Sequence, residues 1–493
     1  MLFNSYEFLF VFLPLTLVGY FAFGRLGMRA AATFLGLASL GFYAWWRVEF
    51  LPILALSILF NYSAGMLIDR WRASSVGRAT LISAIAVNLG ALAFYKYAGF
   101  LATTANAFGA RLPLLDIILP IGISFFTFTQ IAFLVDVWRG KAQERHFINY
   151  ILFVSYFPHL IAGPMLHHAQ IMPQFSNPDA CRLKSSNLAL GIAIFIIGLV
   201  KKVLIADPLS IYASGVFNRL GTGAEPDMVT SWCGALAFTL QIYFDFSGYS
   251  DMAIGASKMF GIDLPINFNS PYKATSIIDF WRRWHMSLSQ FLRDYLYIPL
   301  GGNQKGPARR YINLMLTMLL GGLWHGANWT FVVWGGLHGF YLVINHLWNS
   351  ALPSPPKALA WMLTTLAVVI AWVFFRASDF DQALMMLRGM AGMNGVGSTL
   401  LQIGGQKIGE LRNVLPLLLI AALLCALPNS QSLARQFEAV LQTGDGAAQI
   451  FGAKLNSHAL TRSLFLSAII AAAFFFTCVG FIGEKSEFLY FQF

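Results

Sequence analysis

Long apolar stretches separated by short polar loops make up most of this chain. They lie at 6–24, 31–46, 50–68, 80–95, 117–138, 187–206, 230–246, 312–345, 358–375, 413–428 and 463–483. A helix needs about 20 apolar residues to cross the hydrocarbon core of a bilayer. Strands would need the alternating pattern of a barrel, which these stretches lack. We therefore predict an all-α, polytopic integral membrane protein with about ten to thirteen spans.

The composition agrees with this pattern. Of the 493 residues, 57% are hydrophobic and only 11% are charged, whereas a soluble domain carries about 25% charged residues. The net charge of +11 comes largely from loop residues, so we predict contact with membrane lipid and no nucleic acid. Arginine and lysine follow the first, third and fifth stretches. By the positive-inside rule these loops are cytoplasmic, and the N-terminus is predicted to be periplasmic.

The start of the chain resembles a secretory signal only in its hydrophobicity. No positive charge precedes the apolar stretch, and no small-residue cleavage site comes before Arg25. We therefore interpret it as a retained span. No internal repeat or low-complexity linker divides the chain, so 1–493 is predicted to form a single membrane domain, in which 377–462 is weakly patterned.

Two segments depart from plain apolar helix. The first, YFPHLIAGPMLHH at 156–168, contains two prolines and a glycine, which predict a broken or re-entrant segment. Irregular backbone at membrane depth survives only inside protein or beside a water-filled cavity. Both a cavity wall and a simple kink fit this pattern.

The second segment, 245–310, holds much of the chain's polarity. Within it, residues 279–295 carry an apolar set that recurs at helical spacing and a charged set between its members. This pattern predicts an amphipathic helix at the membrane interface. The apolar set is Phe280, Trp284, Leu288, Phe291, Leu292 and Tyr295, and the charged set is Asp279, Arg282, Arg283, Arg293 and Asp294. The basic residues fit either attraction to anionic lipid or a wall of an active site.

Histidines are the candidates for chemistry. From 311 to 356 the chain has no Asp, Glu, Lys or Arg, and His325, His338 and His346 are its titratable groups near neutral pH. An ionisable group inside a membrane indicates function by default, and a neutral imidazole can accept a proton from an attacking hydroxyl. His325, in GGLWHGANWT, is the first candidate, and His285, in RRWHMSLS, is the second. For His325 the alternatives are a structural hydrogen-bonding role and a transport site. For His285, the neighbouring Arg282 and Arg283 are expected to lower its pKa and keep it neutral, and the alternative is an exposed histidine on the polar face of the helix.

Other motifs are missing. The adjacent His167 and His168 lack an HExxH pattern or a carboxylate cluster, so no metal site is predicted. The four cysteines lie far apart and form no CxxC pair, which predicts neither a zinc site nor a disulfide framework. The chain has no GxSxG elbow, Walker loop or GxGxxG fingerprint, which argues against serine hydrolysis and ATP-driven transport. No permanently bound cofactor is predicted.

Several blocks of the sequence together resemble the membrane-bound O-acyltransferase (MBOAT) family, and within it the bacterial branch of alginate O-acetylation membrane subunits. The blocks are MLFNSYEFLFVFLPLTL, LPIGISFFTFTQIAFLVDVWRG, YFPHLIAGPMLHH, DFSGYSDMAIG, LPINFNSPY, DFWRRWHMSLSQFLRDYLYIPLGG, GGLWHGANWTFVVWGGLHG and LYFQF. The resemblance implies helices around a central funnel, with His325 as the catalytic histidine and His285 as the second active-site position. Substrate contacts are predicted for Arg282, Arg283, Trp324 and Asn328, the two arginines as candidates for the donor's phosphates.

The same resemblance implies an acetyltransferase of the bacterial inner membrane. The expected donor is acetyl-CoA, the expected partner is a periplasmic SGNH-type acetyltransferase, and the final acceptor is an exported polysaccharide such as alginate. D-alanyl transfer to teichoic acid is the alternative within this chemistry. A secondary transporter or exporter without catalysis, and a scaffold that only anchors other enzymes, are the alternatives from other classes.

Overall fold

A computed structural model describes residues 1–142, 146–161, 163–223, 225–396, 411–435 and 472–482, together with 402–403, 406–407, 448–450, 453–455 and 489. Helices dominate these residues, which confirms the predicted all-α class. Two short antiparallel hairpins also occur. One pairs Gln402–Ile403 with Gln406–Lys407, and the other pairs Ala448–Ile450 with Ala453–Leu455.

The helices are numbered along the described chain. They are α1 (Phe8–Gly24), α2 (Met28–Trp46), α3 (Val48–Arg70), α4 (Ser75–Ala107), α5 (Ile123–Trp138), α6 (Phe147–Ser155), α7 (Phe157–Leu160), α8 (His168–Ile171), α9 (Ser185–Leu220), α10 (Met228–Met259), α11 (Ile277–Trp281), α12 (Met286–Leu292), α13 (Gly306–His325), α14 (Trp329–Ala351), α15 (Lys357–Arg376), α16 (Phe380–Met390), α17 (Leu411–Ala426), α18 (430–435) and α19 (Ala472–Phe481).

Four of these helices, α3, α4, α9 and α15, are long and apolar enough to cross a bilayer. Four shorter helices, α1, α5, α17 and α19, are also apolar. The total number of crossings stays a prediction. In the weakly patterned part, the structure describes α16, α17 and α18, and the remainder of 377–462 lies largely outside the described residues.

The described chain forms two compact units. One comprises Met1–Gly198, Tyr249–Ile266 and Ala434–Ile482, and the other comprises Leu199–Gly248, Asn267–Leu433 and Gly483–Phe493. The single domain expected over 1–493 stays a prediction.

The first unit contains the predicted broken segment. Helix α6 ends at Ser155, the single turn α7 follows, and residues 163–167 are not helical. The His159 ring lies 2.9 Å from the carbonyl oxygen of Phe153. A Cβ atom at Gly163 would lie only 2.4 Å from the Cα atom of His159, so glycine is required for this tight return. The expectation of a break is confirmed, while the re-entrant path stays a prediction.

Buried polar side chains in the first unit pair with one another. Asn61 on α3 and Asn88 on α4 exchange two amide hydrogen bonds, of 3.0 Å and 2.7 Å. His168 contacts an Asp136 carboxylate oxygen at 3.3 Å and the carbonyl oxygen of Lys141 at 3.2 Å. Unsatisfied polar groups are costly in an apolar environment, so these contacts explain how Asn61, Asn88, Asp136 and His168 are accommodated there.

The second unit contains a buried ion pair. The Lys202 ammonium lies 2.6 Å from an oxygen of Asp245 and 2.9 Å from an oxygen of Asp207. The other Asp245 oxygen accepts a hydrogen bond of 3.1 Å from the backbone N–H of Leu489. Buried charges need such compensation because their desolvation costs several kcal/mol. This network joins α9 to α10 inside the unit.

The apolar stretch predicted at 312–345 is divided into α13 and α14. Gly326 has extended backbone, and a Cβ atom there would lie 2.1 Å from the ring of Phe331. The two helices pack closely because a Cβ atom at Gly322 would lie 2.3 Å from the carbonyl oxygen of Phe331. A Cβ atom at Gly335 would likewise lie 2.3 Å from the carbonyl oxygen of Met318. This close antiparallel packing places His325 at the end of α13.

Candidate active site

His325 ends α13 inside a shell of aromatic rings. Its side chain is 6% exposed. Ring centroids of Trp324, Trp334 and Phe375 lie 4.9, 5.1 and 5.4 Å from that of the imidazole, all in edge-on geometry. These rings exclude water from most of the imidazole. The position is suited to a base that accepts a proton during group transfer.

Asn328 and Trp324 flank His325 in different ways. The Asn328 side-chain oxygen accepts the backbone N–H of Thr330 at 3.1 Å and caps α14. Its amide nitrogen donates to the carbonyl oxygen of Ser378 at 2.6 Å. The structure therefore gives Asn328 a role in holding the turn after His325. Trp324 is 3% exposed and packs on the imidazole; for both residues, substrate contact stays a prediction.

The segment around His285 differs from the predicted continuous amphipathic helix. Helix α11 ends at Trp281, and α12 begins only at Met286. Between them His285 has left-handed backbone, with φ +42° and ψ 55°. Two backbone hydrogen bonds stabilise this break. The N–H of Met286 donates to the carbonyl oxygen of Asn267, and the N–H of Asn269 donates to the carbonyl oxygen of Arg283, both at 2.9 Å. The prediction of one helix was wrong because these contacts come from Asn267 and Asn269, which precede the periodic residues 279–295.

Asn267 determines the tautomer of His285. The side-chain oxygen of Asn267 accepts the N–H and the hydroxyl of Ser287, at 3.3 and 2.9 Å. The same oxygen lies 3.1 Å from His285 Nδ1, so Nδ1 must carry the proton and donate. In the neutral ring Nε2 then keeps the lone pair. His285 therefore presents Nε2 as its proton acceptor.

His285 is completely buried, which replaces the alternative of an exposed polar-face residue. Its ring lies edge-on to Phe246, with centroids 4.7 Å apart. Burial lowers the pKa of His285 from 6.5 to about 3, because the charged imidazolium loses its hydration. The neighbouring arginines were expected to cause this shift, and that explanation was wrong, since desolvation is the leading cause.

The two predicted phosphate-binding arginines lie in different environments. Arg283 donates to an Asp279 carboxylate oxygen at 2.9 Å, four residues earlier in the chain. Its charge is therefore compensated within the protein. Arg282 is exposed. Their contact with a donor stays a prediction.

His338, another titratable group of the charge-free region, belongs to the same unit. The indole N–H of Trp281 donates to His338 Nδ1 at 3.3 Å. Trp334 contacts both histidines, with its centroid 5.1 Å from that of His325 and 4.8 Å from that of His338. Farther along the same helix, the Asn345 side-chain oxygen accepts the N–H of Ile278 at 3.2 Å. Helix α14 thus holds α11 at two points.

The sequence contained one signal for His338, its position in the charge-free region. It did not indicate the partner, because Trp281 is far away along the chain. Aromatic contacts also continue from Trp334 to Trp372 at 5.8 Å and from Trp372 to Trp284 at 4.9 Å. The second unit therefore brings His325, His338 and the His285 segment onto one aromatic cluster, formed by Phe280, Trp281, Trp284, Trp334, Trp372 and Phe375.

Within the described ranges, no group of three or more His, Cys, Asp or Glu side chains is arranged to hold a metal ion. His168, one of the adjacent pair, contacts Asp136 and the Lys141 carbonyl as described above. The chemistry that the site histidines His285 and His325 support is proton transfer.

Comparison with known proteins identifies the family of this chain and several relatives named as acyltransferases. Residues 126–378 match the sequence model of the membrane-bound O-acyltransferase family, MBOAT. A peptidoglycan O-acetyltransferase of Helicobacter pylori is 44% identical over 428 residues, covering 80% of this chain and 81% of that protein. A probable alginate O-acetylase of Pseudomonas aeruginosa is 46% identical over 401 residues, covering 79% of this chain and 75% of that protein. A teichoic acid D-alanyltransferase of Bacillus subtilis is 27% identical over 265 residues, covering 52% and 66%.

Proposed function

Because the chain belongs to the membrane-bound O-acyltransferase family, we propose that it moves acetyl groups from a cytoplasmic thioester across the membrane for O-acetylation of an exported polysaccharide. It is a membrane O-acyltransferase, and its most similar relatives reported above are named as acetylating enzymes. The proposed donor is acetyl-CoA. The proposed location is the bacterial inner membrane, with a periplasmic N-terminus.

The observation that supports catalysis most strongly is the setting of His325. The imidazole ends a helix in a region without charged residues and is enclosed by three aromatic rings. In the proposed step, His325 takes the proton of an acceptor hydroxyl as its oxygen attacks the thioester carbonyl carbon. The tetrahedral intermediate then expels the thiolate, which takes the proton from the imidazolium. The products are an O-acetyl ester and a free thiol.

His285 is proposed to orient the acceptor. Its Nε2 lone pair can accept a hydrogen bond from the acceptor hydroxyl, and Asn267 holds the ring in that tautomer. With a pKa of about 3, His285 is a weak base, so it is better suited to positioning the hydroxyl than to accepting its proton. His338 is proposed to support this arrangement through Trp281, which precedes His285 by four residues.

The acceptor and the partner are proposed from the names of the relatives and from the family resemblance. Relatives named for alginate and peptidoglycan acetylation favour a polysaccharide as final acceptor. A periplasmic SGNH-type acetyltransferase is the proposed partner that completes transfer. D-alanyl transfer is the second candidate, and the relative named for it is 27% identical over 52% of this chain, so we favour acetylation.

The test is His325→Ala in a strain that depends on this chain for polymer acetylation. Polymer-bound acetate is expected to fall to background while the amount of protein in the membrane stays equal. His346→Ala is the matched control, because it removes another histidine of the charge-free region and is expected to retain acetylation. Full acetylation by His325→Ala at equal expression would overturn the catalytic assignment. Labelled acetyl-CoA supplied to membranes tests the donor, and label absent from both protein and glycan would exclude it.

A further inference from the structure

Arg376 is a cation next to the aromatic shell of His325. It is the last residue of α15 and follows Phe375, whose ring centroid lies 5.4 Å from that of His325. The guanidinium lies against one face of α9. One nitrogen is 3.5 Å from the Ser214 hydroxyl and 3.5 Å from the Asn218 side-chain oxygen. Its carbon lies 5.4 Å from the centroid of the Phe217 ring.

All three of these partners are neutral. Among the residues that the structure describes, no carboxylate forms an ion pair with Arg376. Other arginines of the chain are compensated, such as Arg283 by Asp279 at 2.9 Å and Arg293 by Asp294 at 2.7 Å. The carboxylate of the nearby Asp379 has other partners. It accepts hydrogen bonds from the backbone N–H of Gln382 and the hydroxyl of Ser378 at the start of α16. Within the described part of the chain, the charge of Arg376 is therefore not paired with an acid.

A structural role explains only part of this arrangement. A cation at a helix C-terminus interacts favourably with the helix dipole. A guanidinium, however, has five N–H donors, and two contacts of 3.5 Å are at the outer limit of a hydrogen bond. The side chain is only partly buried, so an anion can reach it. A phosphate can accept two parallel N–H bonds from such a group.

We propose that Arg376, assisted by Ser214 and Asn218, binds a phosphate group of the acyl donor. This inference rests on the proposed function, because it assigns the donor site of the same reaction. It also differs from the expectation that Arg282 and Arg283 hold the donor, since Arg283 is already paired with an acid. The shared chemistry is recognition of phosphate, which a thioester cofactor or a phospholipid headgroup can supply.

Two donors distinguish these sources. Acetyl-CoA carries phosphates, whereas S-acetyl-pantetheine has the same thioester without them. The assay is thiol release by the purified full chain in maltoside detergent, supplied with the proposed periplasmic partner and an acceptor glycan. Arg376→Gln is expected to raise the KM for acetyl-CoA about 10- to 100-fold, which is the loss of one charged hydrogen-bonding contact. The kcat and KM for acetyl-pantetheine are expected to stay at wild-type values.

Arg388→Gln is the matched control, because it removes an exposed arginine from the neighbouring helix α16. It is expected to leave both donors unaffected. Unchanged kinetics of Arg376→Gln with acetyl-CoA, or an equal loss with both donors, would overturn donor recognition. If added phospholipid alone restores wild-type rates to the variant, the phosphate comes from lipid and the donor assignment is wrong. His325→Ala tests the proposed function separately, because it must abolish transfer from both donors.

Discussion

The buried state of His285 predicts how stability responds to acid. In the folded protein, burial lowers its pKa from 6.5 to about 3. In the unfolded chain the imidazole titrates near its ordinary value, so between these two pH values the unfolded state binds more protons. The stability associated with the neutral ring is therefore complete above the unfolded pKa and is lost progressively as the pH falls below it.

The size of this effect follows from the shift. One pKa unit corresponds to about 1.4 kcal/mol. Acidification from about pH 7.5 to about pH 4.5 is therefore expected to lower the free energy of unfolding by about 2 to 3 kcal/mol through this side chain. His285→Asn removes the titration while keeping a side-chain N–H that can donate to Asn267. Asparagine also tolerates the left-handed backbone of this position.

The assay is unfolding of purified wild type and His285→Asn in detergent, followed by tryptophan fluorescence at a series of pH values. The variant is expected to lose less stability than wild type on acidification, by the amount given above. Each profile is compared with that of His146→Asn, the control variant, in which an exposed histidine is replaced. Parallel profiles for wild type and His285→Asn would refute the reasoning, since they would mean that His285 is not held neutral by the fold.

Three further predictions concern packing and positioning in the second unit. Trp281→Phe and His338→Phe should each lower kcat for acetyl transfer about 10-fold with little change in KM, as expected for loss of one hydrogen bond of about 1 to 1.5 kcal/mol. His338→Asn keeps an acceptor at the Nδ1 position and should therefore retain the wild-type rate. The rate losses of the two Phe variants should not add in the double variant, and additive losses would exclude a shared role. Gly322→Ala should reduce the amount of folded protein, measured by size-exclusion chromatography, because its Cβ atom would lie 2.3 Å from a carbonyl oxygen of α14; unchanged yield would contradict the close packing. Asp245→Ala should destabilise by about 3 kcal/mol, because Lys202 loses a buried partner; a melting temperature equal to wild type would contradict that ion pair.

The sequence alone established the features that depend on local pattern. Apolar stretches predicted helices in a bilayer, and the prolines of 156–168 predicted the break that the first unit contains. The charge-free region singled out His325, because an ionisable group is conspicuous where no other charge occurs. The ordered motifs identified the family. Each of these signals lies within a short segment or in the order of segments along the chain.

The tertiary structure decided features that depend on distant contacts. Helical periodicity predicted one helix through His285, but Asn267, 18 residues earlier, bonds the ring and Ser287 and holds the left-handed turn. His338 gained its role from Trp281, 57 residues away. The neutral partners of Arg376 became visible only when its neighbours on α9 were known. Periodicity reports the environment of a segment, whereas tautomer, turn and charge balance depend on which partners the fold brings together.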